Sequence, residues 1–312
     1  MAKKSSPIVM LIAFMLVAAF FSYQQGYLDP ILNPENRGND ETDGTPEPPP
    51  EAEPIKVATF NIQVFGQSKR SKPEVMEVLV DVAREFDVML VQEIRDSSGE
   101  TAPAYLELIN GVEGASYAYI ESERLGRTTS KESYAYYWNT ETVEYLEDTA
   151  YIYNDTGDVF EREPYVASFS SGGFDFTLVG IHVKPDDAEN EIGNLTVVVA
   201  SILASDPGEG DVIVMGDFNA DGGYFDEDGP SPLIGEGYLW IVENSYDTMT
   251  KTDWTYDRIV LLDGTYGGEY VMDSCEVFYF DAVYGIGQEL TEDVSDHYPV
   301  YAVFRTDVAD DD

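Results

Sequence analysis

The sequence predicts an α/β fold in which strands dominate. Three observations carry this. Seven short runs rich in β-branched and aromatic residues recur along the chain. At least two amphipathic helical patterns lie between them. Polar phrases stand where the runs end, as in sandwiches whose loops converge on one surface, so a single site built from many segments is expected. No internal repeat interrupts the pattern.

Residues 1–23 read as a signal peptide or an N-terminal membrane anchor. Lys3 and Lys4 form a basic start, and Ile8 to Phe21 is apolar and uncharged. That apolar stretch, residues 8–21, is shorter than the ~20 residues of a full span. Ser22-Tyr23-Gln24 is a poor cleavage site, so cleavage and retention as a tether both stay open. Either fate places the remainder outside the cytoplasm. Residues 24–54 form an acidic, Pro-rich linker, with Pro48-Pro49-Pro50 extended and stiff. The folded domain is expected over residues 55–306, with an acidic tail at 307–312.

Within the domain the strand runs are Ile55 to Phe60, Asp87 to Val91, Tyr134 to Trp138, Phe174 to Ile181, Asp211 to Met215, Arg258 to Leu262 and Tyr298 to Phe304. The first helix should open at Ser71-Lys72-Pro73-Glu74, a capping box with proline in the first turn. Val75, Val78, Leu79, Val82 and Phe86 give it one apolar face. The second should run from Asp187 to Ala204, with acidic residues at its positive end.

Composition narrows the setting. Asp and Glu number 60 against 17 Lys and Arg, a formal net charge of −43, yet 43% of residues are hydrophobic and 13% aromatic. A disordered acidic protein is therefore excluded. Such a charge would strain a fold in dilute salt. At ~1 M salt the Debye length is only about 3 Å, so a folded protein with an acidic surface suits high salt. An acidic surface that collects divalent cations is a compatible reading. One cysteine, Cys275, excludes an intramolecular disulfide and thiolate zinc sites. Any metal must take oxygen and imidazole ligands, which favours Mg²⁺, Ca²⁺ or Mn²⁺.

The chain has two histidines, and both sit at strand edges. His182 ends one apolar run, and His297 lies in Ser295-Asp296-His297-Tyr298-Pro299-Val300. Between them stands Gly216-Asp217-Phe218-Asn219-Ala220-Asp221. Imidazole exchanges protons near neutral pH, so two such residues beside aspartates suggest an acid–base pair. Phosphodiester cleavage needs a metal, a base for water and an acid for the leaving oxygen. Asn61, Glu93, Asp217, Asn219 and Asp296 offer hard oxygen ligands. Glu132 and Asp257 could orient the two imidazoles.

Taken with Thr59-Phe60-Asn61-Ile62-Gln63-Val64-Phe65-Gly66, Val91-Gln92-Glu93-Ile94-Arg95-Asp96, Ser122-Glu123-Arg124-Leu125-Gly126-Arg127, Arg162-Glu163-Pro164 and Tyr256-Asp257-Arg258-Ile259-Val260, the chain resembles the deoxyribonuclease I family of the endonuclease/exonuclease/phosphatase superfamily. The likeness runs from about Ile55 to Arg305. Gly-Asp-Phe-Asn and Ser-Asp-His mark the superfamily. Leu-Gly-Arg, Arg-Glu-Pro and Tyr-Asp-Arg-Ile-Val point to the deoxyribonuclease I branch.

The resemblance implies a four-layer α/β sandwich, two packed mixed β-sheets flanked by helices. It implies a monomeric endonuclease that cuts double-stranded DNA with little sequence preference and leaves 5′-phosphate ends, with no protein partner. Carried over by position, His182 pairs with Glu132 and His297 with Asp257, and Asp217 and Asn219 complete the catalytic set. His182 is taken as the acid and His297 as the base. Asn61, Glu93, Asp217 and Asp296 would hold Mg²⁺ or Mn²⁺. Arg95, Arg127, Arg162 and Tyr256 would contact DNA. Structural Ca²⁺ would sit at Asp155, Asp158, Phe160 (through its carbonyl) and Glu163, and more loosely at Asp247, Thr250 and Thr252.

The chain also departs from the family. Both partners of the long-range disulfide are replaced, at Gly222 and Trp254, and the loop of the short bridge is shortened near Asp155. Ser130 stands where the family has a tyrosine that stacks in the minor groove. Two other readings stay open: a phosphodiesterase or phosphatase on another phosphoester, and a non-catalytic surface protein that binds calcium or DNA.

Overall fold

Two stacked sheets form the centre of the protein. The computed structural model describes residues 53–235 and 237–308, so the leader, almost all of the linker and most of the tail lie outside the described residues. In chain order the elements are β1 (Ile55–Phe65), α1 (Gln67–Arg70), α2 (Pro73–Ala83), β2 (Val88–Ile94), α3 (Thr101–Asn110), β3 (Tyr117–Glu121), β4 (Ser133–Asn139), β5 (Glu144–Tyr145), β6 (Tyr151–Ile152), β7 (Tyr165–Ser171), β8 (Phe174–His182), α4 (Ala188–Ser205), β9 (Val212–Asp217), β10 (Tyr238–Trp240), β11 (Asp257–Leu262), α5 (Asp263–Gly267), β12 (Glu276–Val277), α6 (Phe280–Tyr284), α7 (Gln288–Val294) and β13 (Val300–Phe304).

The first sheet has the order β12-β13-β1-β2-β4-β3, and the second β10-β11-β9-β8-β7-β5 with β6 paired to β7. Each sheet has one parallel pair at its centre, β1 with β2 and β8 with β9. Both faces of these strands are covered, which is why they read as continuous apolar runs. The period of two still divides them. Val57, Leu90, Tyr134 and Tyr136 point between the sheets, where they meet Leu178, Ile213, Met215 and Ile259. Ala58, Met89, Val91 and Tyr137 point outward to Val75, Leu79 and Val82 of α2 and to Tyr105 and Ile109 of α3. On the far side Val179, Ile181, Val212 and Val214 pack on Ile192, Leu195, Val199 and Ile202 of α4. Helices, sheet, sheet and helix make the four-layer α/β sandwich that the resemblance implied. Each fully buried aliphatic or aromatic side chain stabilises it by about 1.5–3 kcal/mol before entropy is counted.

One detail of the sequence reading is corrected. Lys72, not Ser71, is the N-cap of α2, and no side chain caps it. The Ser71 hydroxyl donates to the Ser68 carbonyl at 2.7 Å instead. Residues 67–70 already form a helical turn, and that turn draws Ser71 backwards. Pro73 does occupy the first turn.

Candidate active site

Topology brings the site together. The two central parallel pairs end at the same edge of the sandwich, and residues at or near these ends carry the chemistry. β1 brings Asn61, β2 Glu93, β8 His182 and β9 Asp217. His182 and Asp217 are partners in the β8–β9 register, and Asp217 and Asp257 in the antiparallel β9–β11 register. Asp217 therefore has His182 on one side and Asp257 on the other. β13 runs antiparallel to β1. The Ser295-Asp296-His297 segment that precedes it accordingly lies beside the end of β1, where the Ser295 hydroxyl donates to the Asn61 carbonyl at 2.6 Å.

Local backbone geometry permits this crowding. Gly216 has φ +147°, and a Cβ there would fall 1.8 Å from the Ile181 carbonyl oxygen, so only glycine lets β9 approach β8 before Asp217. Val64, Glu93 and Asn219 adopt φ of 50°, 60° and 48°. Left-handed non-glycine residues cost of order 1–3 kcal/mol each and cluster where function fixes the backbone.

Two imidazole–carboxylate pairs face one aspartate. His182 Nδ1 lies 2.7 Å from Glu132 Oε1, and His297 Nδ1 lies 2.8 Å from Asp257 Oδ2. Their Nε2 atoms point at Asp217 Oδ2, at 3.4 and 3.6 Å. All five residues are buried. A carboxylate on Nδ1 fixes the tautomer and leaves Nε2 to exchange protons. Burial disfavours charge on His297, but Asp257, Asp217 and Asp296 outweigh it and raise its pKa to about 10. Burial and Arg162 both oppose charge on His182, yet Glu132 and Asp217 still raise its pKa. Glu132 shows the complement. Burial works against its charge, but His182, Arg162 and Arg95 hold its pKa down at about 2.

Asn61 and Glu93 join the same cluster. Asn61 Nδ2 donates to Asp217 Oδ2 at 2.9 Å and to Glu93 Oε1 at 3.4 Å. The Val64 amide donates to Glu93 Oε2 at 2.7 Å, and Arg95 lies 3.1 Å from that oxygen. Asp296 stands at the rim, where it accepts from Gln63 Nε2 at 2.6 Å and lies 3.8 Å from His297 Nε2. Asn219 turns inward: its amide nitrogen donates to the Val183 carbonyl at 3.0 Å, and its backbone N–H donates to Asp217 Oδ1 at 2.9 Å.

The residues fit a hard divalent cation. Asn61 Oδ1 is buried without a hydrogen-bond partner beside Glu93 and Asp217. Arg95 and Arg162 pair with carboxylates of the cluster formed by Glu93, Glu132, Asp217, Asp257 and Asp296, in which acidic groups predominate. Among the described residues the one tight group of three or more His, Cys, Asp or Glu ligand atoms is Asp217, Asp257 and His297.

The four residues expected to touch DNA separate into two kinds. Arg127 is exposed and Arg95 partly so. Arg162 is buried, donating from Nε to the His182 carbonyl at 3.0 Å and lying 3.5 Å from Glu132, so it braces the imidazole pair from within. Tyr256 is buried too, its ring 6.4 Å from that of His297. Ser130 is exposed, with its N–H on Thr128.

Several of the expected calcium ligands make hydrogen bonds within the protein. Asp155 accepts from the Phe160 amide at 2.8 Å. Exposed Asp158 accepts from Arg127 through its carbonyl at 2.8 Å. In the second set Asp247 accepts from the Met249 amide at 3.0 Å, Thr250 donates to the Asp296 and Ser295 carbonyls, and Thr252 is exposed.

Several supporting residues were not read from the sequence. Lys69 is buried and donates to the Val294 carbonyl at 2.6 Å, tying α1 to the segment before His297. Glu191 of α4 accepts from the Glu161 and Lys184 amides at 2.9 and 3.1 Å, bracing both sides of Arg162 and His182. Arg258 is fully buried and donates to Ala220, Val242, Asn244 and Glu227. Trp254 lies over Gly222, where an added Cβ would stand 3.3 Å from the indole, so the two residues pack on each other.

Comparison with known proteins agrees with the geometry. Residues 58–297 match the model of the Endonuclease/Exonuclease/phosphatase family. Deoxyribonuclease-1 of Oryctolagus cuniculus is 34% identical over 258 residues, covering 79% of this chain and 91% of that protein. Deoxyribonuclease gamma of Mus musculus is 35% identical over 260 residues, covering 79% and 83%. The fold also matches the crystal structure of humanized D. rerio TDP2, at 17% identity and a TM-score of 0.55, over 80% of this chain and 98% of that one.

Proposed function

Since the chain belongs to the deoxyribonuclease I family of the endonuclease/exonuclease/phosphatase superfamily, we propose that it is an extracellular, metal-dependent endonuclease that hydrolyses DNA phosphodiester bonds. Its substrate is double-stranded DNA, cut with low sequence preference to 5′-phosphate ends, in surroundings of high salt. The observation that carries this reading is the convergence of two imidazole–carboxylate pairs on Asp217, with Nε2 distances of 3.4 and 3.6 Å. A binding protein needs no such pair.

Asn61, Glu93 and Asp217, with Asp296 at the rim, would hold Mg²⁺ or Mn²⁺. Such a cation supplies charge neutralisation on the scissile phosphate. The protein's own groups do the rest. Glu132 and Asp257 keep a proton on each Nδ1, so each Nε2 faces the reacting atoms. His182 Nε2 donates to the leaving 3′-oxygen, and His297 Nε2 accepts the proton of the attacking water. Asn219 and Arg162 fix the end of β8 from which His182 projects. The charges around the rings favour a second reading with these roles exchanged. Three carboxylates hold the proton on His297, whereas Arg162 opposes it on His182.

The test is nicking of supercoiled plasmid in ~2 M salt with Mg²⁺ and Ca²⁺, beside His182→Ala. Cleavage that disappears in the variant supports the reading. No cleavage by folded protein refutes it and favours another phosphoester. The same assay with Arg127→Ala separates the two substrates, since this exposed arginine pairs with Asp158 and Glu161 outside the catalytic cluster and only a DNA enzyme should depend strongly on it.

A further inference from the structure

An aromatic track leads out of the catalytic centre. The Tyr256 ring lies 6.4 Å from His297, and two further rings flank it, Trp254 at 5.3 Å and Tyr224 at 6.0 Å. Tyr256 is buried, but Trp254 and Tyr224 are each 39% exposed, among the few large apolar side chains that face solvent. Trp254 is seated, not loose. Gly222 leaves room for its indole, and the Thr248 amide donates to its carbonyl at 3.1 Å.

The surroundings of these rings exclude an ordinary phosphate clamp. Asp221, Asp226 and Asp253 lie on the same segments. The nearby Lys251 is held by Glu292 at 2.8 Å. A DNA strand cannot be drawn to this rim by charge, but the flat face of a base can rest on an exposed ring. Stacking tolerates any base and is little screened by salt, whereas phosphate contacts weaken steeply as salt rises.

We propose that Trp254 and Tyr224, backed by Tyr256, form a stacking platform for one or two unpaired bases of the substrate strand beside the scissile phosphate. This rests on the nuclease reading above and deepens it. It assigns the enzyme a preference, within duplex DNA, for nicked or frayed places where bases are free to splay.

The experiment uses the full chain and two oligomers of equal length, one a single-stranded deoxyoligonucleotide and the other an abasic deoxyribose-phosphate chain. Binding is read from the fluorescence anisotropy of dye-labelled oligomers, a signal that does not depend on Trp254 and so serves every variant. Cleavage is read in parallel as kcat and KM. The base-bearing strand should bind at least about tenfold more tightly than the abasic one, and its KM should stay flat or fall as salt is raised from ~0.1 to ~2 M. Tyr224→Ala with Trp254→Ala should bring the two oligomers to equal affinity, and Trp254→Phe should restore most of the difference. Circular dichroism of each variant establishes that it is folded.

Equal binding of both oligomers by the unaltered protein would overturn the platform, as would a preference that survives in the double variant. Cleavage without base preference would leave the nuclease reading intact and remove the platform. Base-dependent binding without cleavage would support the platform and remove the nuclease reading.

Discussion

Replacing Glu132 by glutamine isolates the positioning of His182. The exchange keeps shape and removes one charge from a fully buried place. Glu132 holds His182 Nδ1 at 2.7 Å and lies 3.5 Å from both Arg95 and Arg162. The shift of its pKa from 4.5 to about 2 corresponds to about 3 kcal/mol favouring the ionised form in the folded protein. Its folded pKa is depressed, so that stability is present above pH 4.5 and is lost as the pH falls towards 2. The glutamine protein should therefore be less stable by about 3–5 kcal/mol at neutral pH, because buried Arg162 loses its counter-charge. Its stability should also lack the acid-side decline that belongs to this residue. Catalysis should fall by about 10²–10⁴, the usual worth of a positioned acid or base. The residual activity should have a shifted pH profile. Without Glu132, burial and Arg162 act on His182 with only Asp217 opposing, so its pKa drops. The basic limb moves to lower pH if His182 is the acid, and the acidic limb moves if it is the base. The assays are denaturant unfolding from pH 2 to 8 and plasmid nicking across pH. Activity within threefold of the unaltered enzyme, with unchanged stability, would refute the argument.

Other consequences follow from single features. Gly222→Ala places a Cβ 3.3 Å from the Trp254 indole at φ +66°, so it should destabilise the protein by about 1–3 kcal/mol in denaturant unfolding. Ca²⁺ should raise the melting temperature by several degrees when present at ~100 times its dissociation constant. Asp155→Asn with Glu163→Gln should remove that rise; if it does not, the first calcium site is elsewhere. Nicking should peak at high ionic strength, where self-repulsion of the −43 chain is screened. A rate that is highest below ~0.1 M salt would contradict this.

The central strands were legible because burial on both faces makes them apolar throughout. β8 was expected over Phe174 to Ile181 and spans Phe174–His182. β7, Tyr165–Ser171, was missed because Ala167, Ser168 and Ser170 give it little apolar signal. It is held by pairing with β8 along its whole length. The two-residue strands β5, β6 and β12 have no pattern at all and exist only through their neighbours. Asn61 was expected just past the end of a strand, yet β1 continues to Phe65 through a bulge. Among site residues, those that bear chemistry were legible as polar phrases at strand ends. Lys69, Glu191 and Arg258 were not, because their importance lies in which distant carbonyl or amide they reach. Only the fold supplies that.

The cations that the fold buries bear on how DNA can be held. A chain with 17 basic residues has few to place, and three of them, Lys69, Arg162 and Arg258, are buried and committed to backbone carbonyls around the site. Lys72, Lys251 and Arg70 pair with acidic neighbours. Arg95 and Arg127 remain near the rim and both touch carboxylates, and Arg124, Lys131 and Lys184 lie on the segments that carry Glu132 and His182. These five side chains neutralise about five phosphates at most, fewer than the 6–10 of ordinary DNA-binding proteins. Even two such contacts lose about 200-fold in affinity between ~0.1 and ~2 M salt, so charge alone cannot hold DNA where the salt is high. A salt response that follows the stability of the acidic fold therefore needs a contact that salt does not screen, and the proposed stacking on the rings beside His297 is of that kind.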